Sequence, residues 1–225
     1  MKPKHIAITL GGNLEYAKRH LLSVQKTYSM VMDKILEVMQ WQVEENIPIV
    51  SVYLLTGKVQ TFPHFDVLMD CLERFFTTLA KHEQIAKNKI KVSVFGKWYN
   101  LPSRVVEGIK RVIDETRDYD SFFLNLCINY DGREEIVDAC KLLGKKMTLR
   151  KLDPENVRQE DIKEHLYTSY FLPPDIIIKT GFDKRLHGFL LWDSPEAHIY
   201  FSHKTWPEFT KEDFLRAVKE WERGG

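Results

Sequence analysis

The sequence predicts an α/β protein with a mostly parallel central sheet of about six strands, flanked by helices. Short apolar runs alternate along the chain with longer amphipathic segments, and this alternation is typical of the class. Several runs are apolar on both faces, as expected of parallel strands that helices cover on either side. No repeat or low-complexity tract interrupts the pattern, so we expect one domain spanning residues 1–225.

The strands are assigned from apolar runs of about four to eight residues that polar or turn-forming residues bound. In chain order they fall at residues 6–10, 49–55, 90–95, 122–129, 176–179 and 197–201.

The helices are assigned from segments in which apolar residues recur every three or four positions. Such segments fall at residues 24–46, 65–87, 102–117, 133–144, 159–166 and 211–222. In the first of them, Val31, Ile35 and Val38 share one face, which predicts that this face is buried. Thr210 and Asp213 have the spacing of a capping box, which favours a helix start at the last segment.

Charge and cysteine content narrow the class of protein. Lys and Arg total 33 against 32 Asp and Glu, a net charge of +1, so no basic field favours nucleic-acid binding. The three cysteines cannot all pair, and Cys127 and Cys140 lie in apolar surroundings that predict reduced core thiols. No apolar run has the length of a signal peptide or a membrane span. We therefore expect a cytoplasmic protein, with peripheral membrane association left open.

Turn-forming residues follow several of the predicted strands. They are Gly11, Gly12 and Asn13, then Thr56 and Gly57, then residues 129–133, and finally Thr180 and Gly181. Ligands of parallel sheets bind beyond the carboxyl ends of the strands, so these loops are expected to form one site. The first loop resembles a phosphate-binding loop, although Leu14 and Glu15 follow where small or basic residues suit an anion.

Three segments of the chain, taken in order, resemble the cis-prenyltransferases, the undecaprenyl and dehydrodolichyl diphosphate synthases. They are HIAITLGGN, NLCINYDGREEIVDA and PDIIIKTGFDKRLHGFLLWDSPEAHIYFSHKTWPEFTKEDFLRAV. The third is the most specific, since DxxIxTG, RL, FLLW, YF and WPxF follow at the family's spacing. The resemblance implies the family's fold and its reaction, in which isopentenyl diphosphate attacks an ionising allylic diphosphate. It also implies Mg²⁺ on the leaving diphosphate.

The carboxylates that hold Mg²⁺ in the family are missing. The resemblance aligns the family's loop Asp with Gly11 and its late-strand Glu with His198. Glycine offers no ligand and imidazole is a poor one for Mg²⁺, which prefers hard oxygen donors. We therefore expect no catalytic residue and no metal or other cofactor in this chain alone. His198 is open to two interpretations, a hydrogen-bonded structural histidine or a base.

The diphosphate-binding residues are partly retained. Gly12 and Asn13 keep the loop of the family, while Lys179, Arg185 and His187 align with its Arg, Arg and Ser. Lysine keeps the charge of arginine but not its planar fork. The sequence predicts a weak or vestigial diphosphate site, and ordinary surface charges are the competing interpretation.

The last residues, Arg223, Gly224 and Gly225, fit the family's C-terminal R-x-G motif. In the family this motif reaches the diphosphate in the partner subunit's active site. A lost active site with a retained R-x-G resembles the Nogo-B-receptor-like subunits of heteromeric cis-prenyltransferases. Chance agreement over three residues is the competing explanation.

Two functional hypotheses follow. In the first, the chain is a non-catalytic subunit that pairs with a catalytic homologue, whose site holds the Mg²⁺. The pair, a heterodimer or larger assembly, makes long-chain polyprenyl diphosphate for glycosyl carrier lipids. In the second, the chain is a divergent homodimeric prenyltransferase or related isoprenoid enzyme that is active by itself. Either hypothesis implies prenyl diphosphates as ligands. Subunit contacts are expected within residues 129–209, where Tyr200, Phe201, Trp206 and Phe209 suit an interface or the protein's own core.

Overall fold

A computed structural model describes residues 2–62 and 64–224 of the chain. All six predicted strands are present within one or two residues of their expected bounds. They are β1 (His5–Thr9), β2 (Ile49–Tyr53), β3 (Ile90–Phe95), β4 (Phe122–Cys127), β5 (Ile176–Lys179) and β6 (His198–Phe201). The helices are α1 (Asn13–Arg19), α2 (Val24–Glu44), α3 (Phe65–Ala80), α4 (Glu83–Lys87), α5 (Ser103–Thr116), α6 (Gly132–Thr148), α7 (Gln159–Lys163) and α8 (Lys211–Gly224).

The six strands form one parallel sheet in the order β3-β4-β2-β1-β5-β6. This confirms the predicted α/β class with a parallel sheet. The chain leaves β1 toward β2 on one side, and β5 later joins β1 on the other side. Strand order therefore reverses at β1, and the crevice beyond its carboxyl end is the expected place for a ligand.

Both faces of the sheet are covered by apolar side chains. The larger core lies against α2, α3 and α5 and includes fully buried Ile6, Ile35 and Leu72. A smaller cluster on the other face contains Ala7 and Ile177. Burying one such aliphatic side chain stabilises the fold by roughly 1.5–3 kcal/mol, so the two layers account for why these strands are apolar on both faces.

Three of the four aromatic residues considered for an interface belong to the protein's own core. Trp206 and Phe209 are fully buried, and the Trp206 indole N–H donates to the Val31 carbonyl oxygen at 3.0 Å. Tyr200 is 9% exposed, whereas Phe201 remains 39% exposed. The core interpretation was therefore correct for the first three, because the WPEF turn folds back onto α2.

Some expectations about local structure were wrong. The segment 65–87 is two helices rather than one, and Cys140 is exposed rather than a core thiol.

Other local features bear on the site and on the helix ends. The short helix α1 follows directly on the first glycine loop. The capping box is present, with the Asp213 carboxylate accepting from the Thr210 N–H at 3.0 Å. Within the described residues, no helix combines the length and apolar character that crossing a bilayer requires.

His5 begins β1 at the amino edge of the sheet and is 2% exposed. Its Nδ1 lies 2.7 Å from the Leu172 carbonyl oxygen, which can only accept, so Nδ1 carries the proton. Nε2 then accepts from the Ser51 hydroxyl at 2.8 Å, and Ser51 accepts in turn from the Asn125 amide at 3.1 Å. Burial lowers the pKa of His5 to about 4, so the imidazole is neutral in the folded protein.

Candidate functional site

A cavity of about 460 Å³ opens at the carboxyl ends of β1, β2 and β5. One side of it is apolar and is formed by α2, α3 and the residues that follow β2. These are Tyr28, Val31, Met32, Leu54, Leu55, Phe62 and Leu68. The rest of the lining carries the charged and amide side chains, beside a few apolar ones. These polar residues are Asn13, Glu15, Lys179, Asp183, Arg185 and His187, and the apolar ones are Leu10, Leu14, Phe182 and Leu186. A ligand that fits this cavity combines a hydrocarbon part with a polar head group.

The first glycine loop is fixed to the end of β5 by backbone hydrogen bonds. The Gly11 N–H donates to the Thr180 hydroxyl at 2.9 Å, and that hydroxyl donates to the Thr9 carbonyl oxygen at 2.7 Å. The Gly11 carbonyl oxygen accepts from the backbone N–H of Trp206 at 2.8 Å. Gly12 has φ 82°, in the region where glycine is favoured because it has no Cβ. The loop is therefore held in place rather than free to open.

Gly11 has no room for a side chain. A Cβ atom built there would lie 2.1 Å from the Thr180 carbonyl oxygen and 2.9 Å from the Lys179 Nζ. The first distance is far inside van der Waals contact with backbone that cannot rotate away. An aspartate at position 11 therefore requires the loop and the end of β5 to move apart.

Lys179 places its ammonium group beside Gly11. The residue is 5% exposed, and its Nζ donates to the Thr180 carbonyl oxygen at 3.0 Å. Desolvation lowers the pKa of this lysine below its ordinary value. Lys179 is level with Thr9 on the neighbouring strand, so both side chains lie on one face of the sheet. The buried Thr9 hydroxyl has no hydrogen-bond partner among the described residues.

The other predicted diphosphate-binding side chains on this loop, Arg185 and His187, are already paired. Asp183 accepts from the Arg185 guanidinium at 2.8 Å and also contacts the His187 ring. These hydrogen bonds lower the pKa of Asp183 to about 2, so the carboxylate stays ionised. The Arg185 side chain is 77% exposed. Asp183 therefore offsets much of the positive charge that Arg185 offers to an anion, and it also engages the His187 ring.

His198 lies away from the cavity. It is level with Ile176 at the start of β6, whereas Lys179 and Phe201 are level at the far ends of their strands. Its Nε2 is 3.4 Å from a Glu220 carboxylate oxygen on α8. Within this chain the fold does not bring His198 and Gly11 together.

Arg223 and Gly224 belong to the last turn of α8, and Gly225 lies outside the described residues. Glu222, one residue earlier, lines a small cavity with Lys2 and Pro3, which precede β1. The helix therefore ends near the amino edge of the sheet, opposite the main cavity. Arg223 does not reach the cavity of its own chain.

Comparison with known proteins identifies the fold and the family. The family profile described as "Putative undecaprenyl diphosphate synthase" matches residues 9–224. The chain belongs to the cis-prenyltransferase family. Its relatives include the tritrans,polycis-undecaprenyl-diphosphate synthase (geranylgeranyl-diphosphate specific) of Methanocaldococcus jannaschii, 34% identical across 98% of this chain and 80% of the relative. An isoprenyl transferase of Thermus thermophilus is 36% identical across 98% of this chain and 86% of its own length.

Two solved cis-prenyltransferase structures match the fold across nearly the whole chain. Lavandulyl diphosphate synthase from Lavandula x intermedia, in complex with dimethylallyl diphosphate, gives a TM-score of 0.93 at 24% identity, covering 98% of this chain and 95% of that one. A probable undecaprenyl diphosphate synthase from Campylobacter jejuni gives 0.79 at 27% identity, with 99% and 96% covered. At the lower identity the similarity shows the fold alone.

The comparisons confirm the predicted family and fold. They do not support the finer resemblance to a Nogo-B-receptor-like subunit, because the relatives described above are named as synthases and transferases. The residues that sequence reasoning missed are Thr9, Asp183 and Phe182, a cavity-lining residue that is 59% exposed. The position of Thr9, last in its strand and next to the glycine loop, was the available signal for that residue.

Mg²⁺, which the family implies, does not fit the side chains of this cavity. Its carboxylates are Glu15, which is solvent-exposed, and Asp183, which is held by Arg185 and His187. A search of the described residues finds no group of three or more His, Cys, Asp or Glu side chains that could hold a metal. Mg²⁺ at phosphate sites is usually held by one or two carboxylates together with phosphate oxygens, and of the two carboxylates here one is exposed and the other is already engaged.

Proposed function

We propose that this chain binds a prenyl diphosphate and serves the synthesis of a polyprenyl diphosphate. The observation that carries the proposal is one cavity with an apolar wall and a buried ammonium group at its other side. The apolar wall suits an isoprenoid chain, and the ammonium of Lys179 suits its diphosphate. The relatives named as undecaprenyl-diphosphate synthases support the same ligand class.

Two ways of serving that synthesis remain. The names of the relatives favour a prenyltransferase that acts by itself, since they are described as enzymes along most of their length. The residues at Gly11 favour the other way, in which the chain depends on a catalytic homologue. An enzyme that ionises an allylic diphosphate needs strong neutralisation of the leaving group, and the carboxylates that hold its metal are missing here. We take dependence on a homologue as the working proposal, because it follows from this chain's own residues.

The deciding experiment measures condensation of isopentenyl diphosphate with farnesyl or geranylgeranyl diphosphate in the presence of Mg²⁺. The chain is assayed alone, with a catalytic homologue from the same organism, and beside that homologue alone. We expect no product from the isolated chain and more product from the mixture than from the homologue. Turnover by the isolated chain well above blank supports the self-sufficient enzyme and removes the dependence.

A further inference from the structure

The buried ammonium of Lys179 has no carboxylate within ion-pair distance among the described residues, although Asp183 and Arg185 both act on it electrostatically, in opposite senses. Its one hydrogen bond is to the neutral carbonyl oxygen of Thr180, at 3.0 Å. A buried charge is normally paired, because an isolated one loses its hydration without compensation. Lys179 lines the main cavity, so the structure leaves this charge available to an anion that enters there.

The position of this ammonium coincides with the space that a side chain at position 11 would need. The Cβ atom of such a residue would lie 2.9 Å from the Lys179 Nζ. The same Cβ atom would lie 2.1 Å from the Thr180 backbone carbonyl oxygen, so the corner between Gly11 and β5 as it is built has no place for a metal-binding carboxylate. The corner contains a fixed positive charge instead of a place for a divalent cation.

A buried hydroxyl lies on the neighbouring strand, at the same level as Lys179. Thr9 is paired with Lys179 across β1 and β5, lines the same cavity, and its hydroxyl makes no hydrogen bond within the described residues. The hydroxyl and the ammonium lie on one face of the sheet and are both hydrogen-bond donors. They suit ionised phosphate oxygens, which can only accept hydrogen bonds.

We infer that this chain binds the diphosphate of an isoprenoid ligand without a divalent metal, with the Lys179 ammonium in the role that Mg²⁺ has elsewhere in the family. The inference deepens the proposed function and rests on it for the hydrocarbon part of the ligand. It assigns the charge recognition to Lys179, with Thr9 as a neighbouring donor, and it assigns no bond-making step to either residue.

The test is calorimetric titration of farnesyl diphosphate into the full chain, once in EDTA and once in Mg²⁺. We expect the two Kd values to agree within about threefold. In EDTA, Lys179→Met should raise the Kd roughly 10- to 100-fold, the loss expected of one charge-assisted hydrogen bond. The matched control is Lys184→Met, since Lys184 is an exposed lysine on the loop that follows β5 and does not line the cavity. Its Kd should stay within about twofold of the wild type, given the modest effect of one exposed charge.

Farnesol, which lacks the diphosphate, separates lost charge recognition from a damaged cavity. Its Kd should be unchanged by Lys179→Met, because the apolar wall is intact. Binding of farnesyl diphosphate that requires Mg²⁺ overturns the inference and leaves the proposed function standing. An unchanged Kd for farnesyl diphosphate in Lys179→Met overturns it as well. If the wild type binds neither compound under either condition, the proposed function fails and the inference fails with it. The comparison of EDTA with Mg²⁺ uses the wild type, so it decides the question even if the variant does not fold.

Discussion

Lowering the pH from about 7.5 to 5 should destabilise this protein through His5. The unfolded chain has the ordinary histidine pKa of 6.5, and burial lowers the folded value to about 4. Because the folded value is the lower one, the stability is complete above pH 6.5 and is lost as the pH falls toward 4. The difference of 6.5 minus 4 corresponds to roughly 3 kcal/mol in full, at about 1.4 kcal/mol per unit. About 2 kcal/mol of it should be gone at pH 5.

The hydrogen bonds of His5 explain why protonation is unfavourable. A proton on Nε2 turns this nitrogen from an acceptor into a donor. The Ser51 hydroxyl can then no longer donate to Nε2 and has to accept from it instead. Ser51 already accepts from Asn125, and the site is closed to water by the sheet. Protonation of His5 therefore weakens hydrogen bonds buried between β1 and β2, not contacts at the surface.

Urea unfolding at pH values between 5 and 7.5, followed by circular dichroism, measures this loss. The matched variant is His5→Gln, which removes the titrating group and should flatten the dependence over this range while lowering the overall stability. If the wild type and His5→Gln lose the same free energy between pH 7.5 and 5, the reasoning about His5 is refuted. Carboxylates such as Asp183 titrate at lower pH and contribute little to the comparison.

Three further predictions concern the site. Gly11→Asp should lower the free energy of unfolding by about 1–3 kcal/mol, as overpacking does, and should not give the isolated chain Mg²⁺-dependent turnover. Denaturant unfolding measures the first effect and a condensation assay the second, and substantial turnover contradicts the account of the loop. Asp183→Asn should lower the Kd of farnesyl diphosphate roughly 3- to 10-fold at low salt, since the negative charge that offsets Arg185 is removed; an unchanged Kd places Arg185 outside the site. Arg223→Ala should leave the chain folded and assembled with a catalytic homologue but reduce the pair's kcat/KM, measured by steady-state condensation, about 30- to 1000-fold. Unchanged activity in an intact pair contradicts the R-x-G hypothesis.

The fold could be predicted from the sequence because burial on both faces leaves a plain signal. Ile176–Lys179, which is buried on both faces, was placed to the residue, and so was the edge strand Ile90–Phe95, where buried and half-buried residues alternate. Aromatic residues were harder, because Trp206 and Phe209 have the size and polarity that suit a core or an interface equally.

The site was less predictable, because its properties depend on registers and close approaches. Nothing in the letters GGN shows that the Lys179 ammonium lies 2.9 Å from where a side chain of Gly11 would begin. The position of His198 depends on how far β6 runs alongside β5, and motif spacing does not give that register. Asp183 is one residue among many acidic ones until the loop brings it against Arg185 and His187.

The glycines of the first loop and of β5's end also depend on one another. A Cβ at Gly181 would lie 2.8 Å from the Gly11 carbonyl carbon, and one at Gly12 would lie 2.6 Å from the Thr205 Cγ2. A side chain placed at position 11 alone therefore enters a corner that its neighbours already close. A protein of this fold with aspartate at that position has to hold the equivalent of the Thr180 carbonyl farther from its loop, so the two positions have to be designed together.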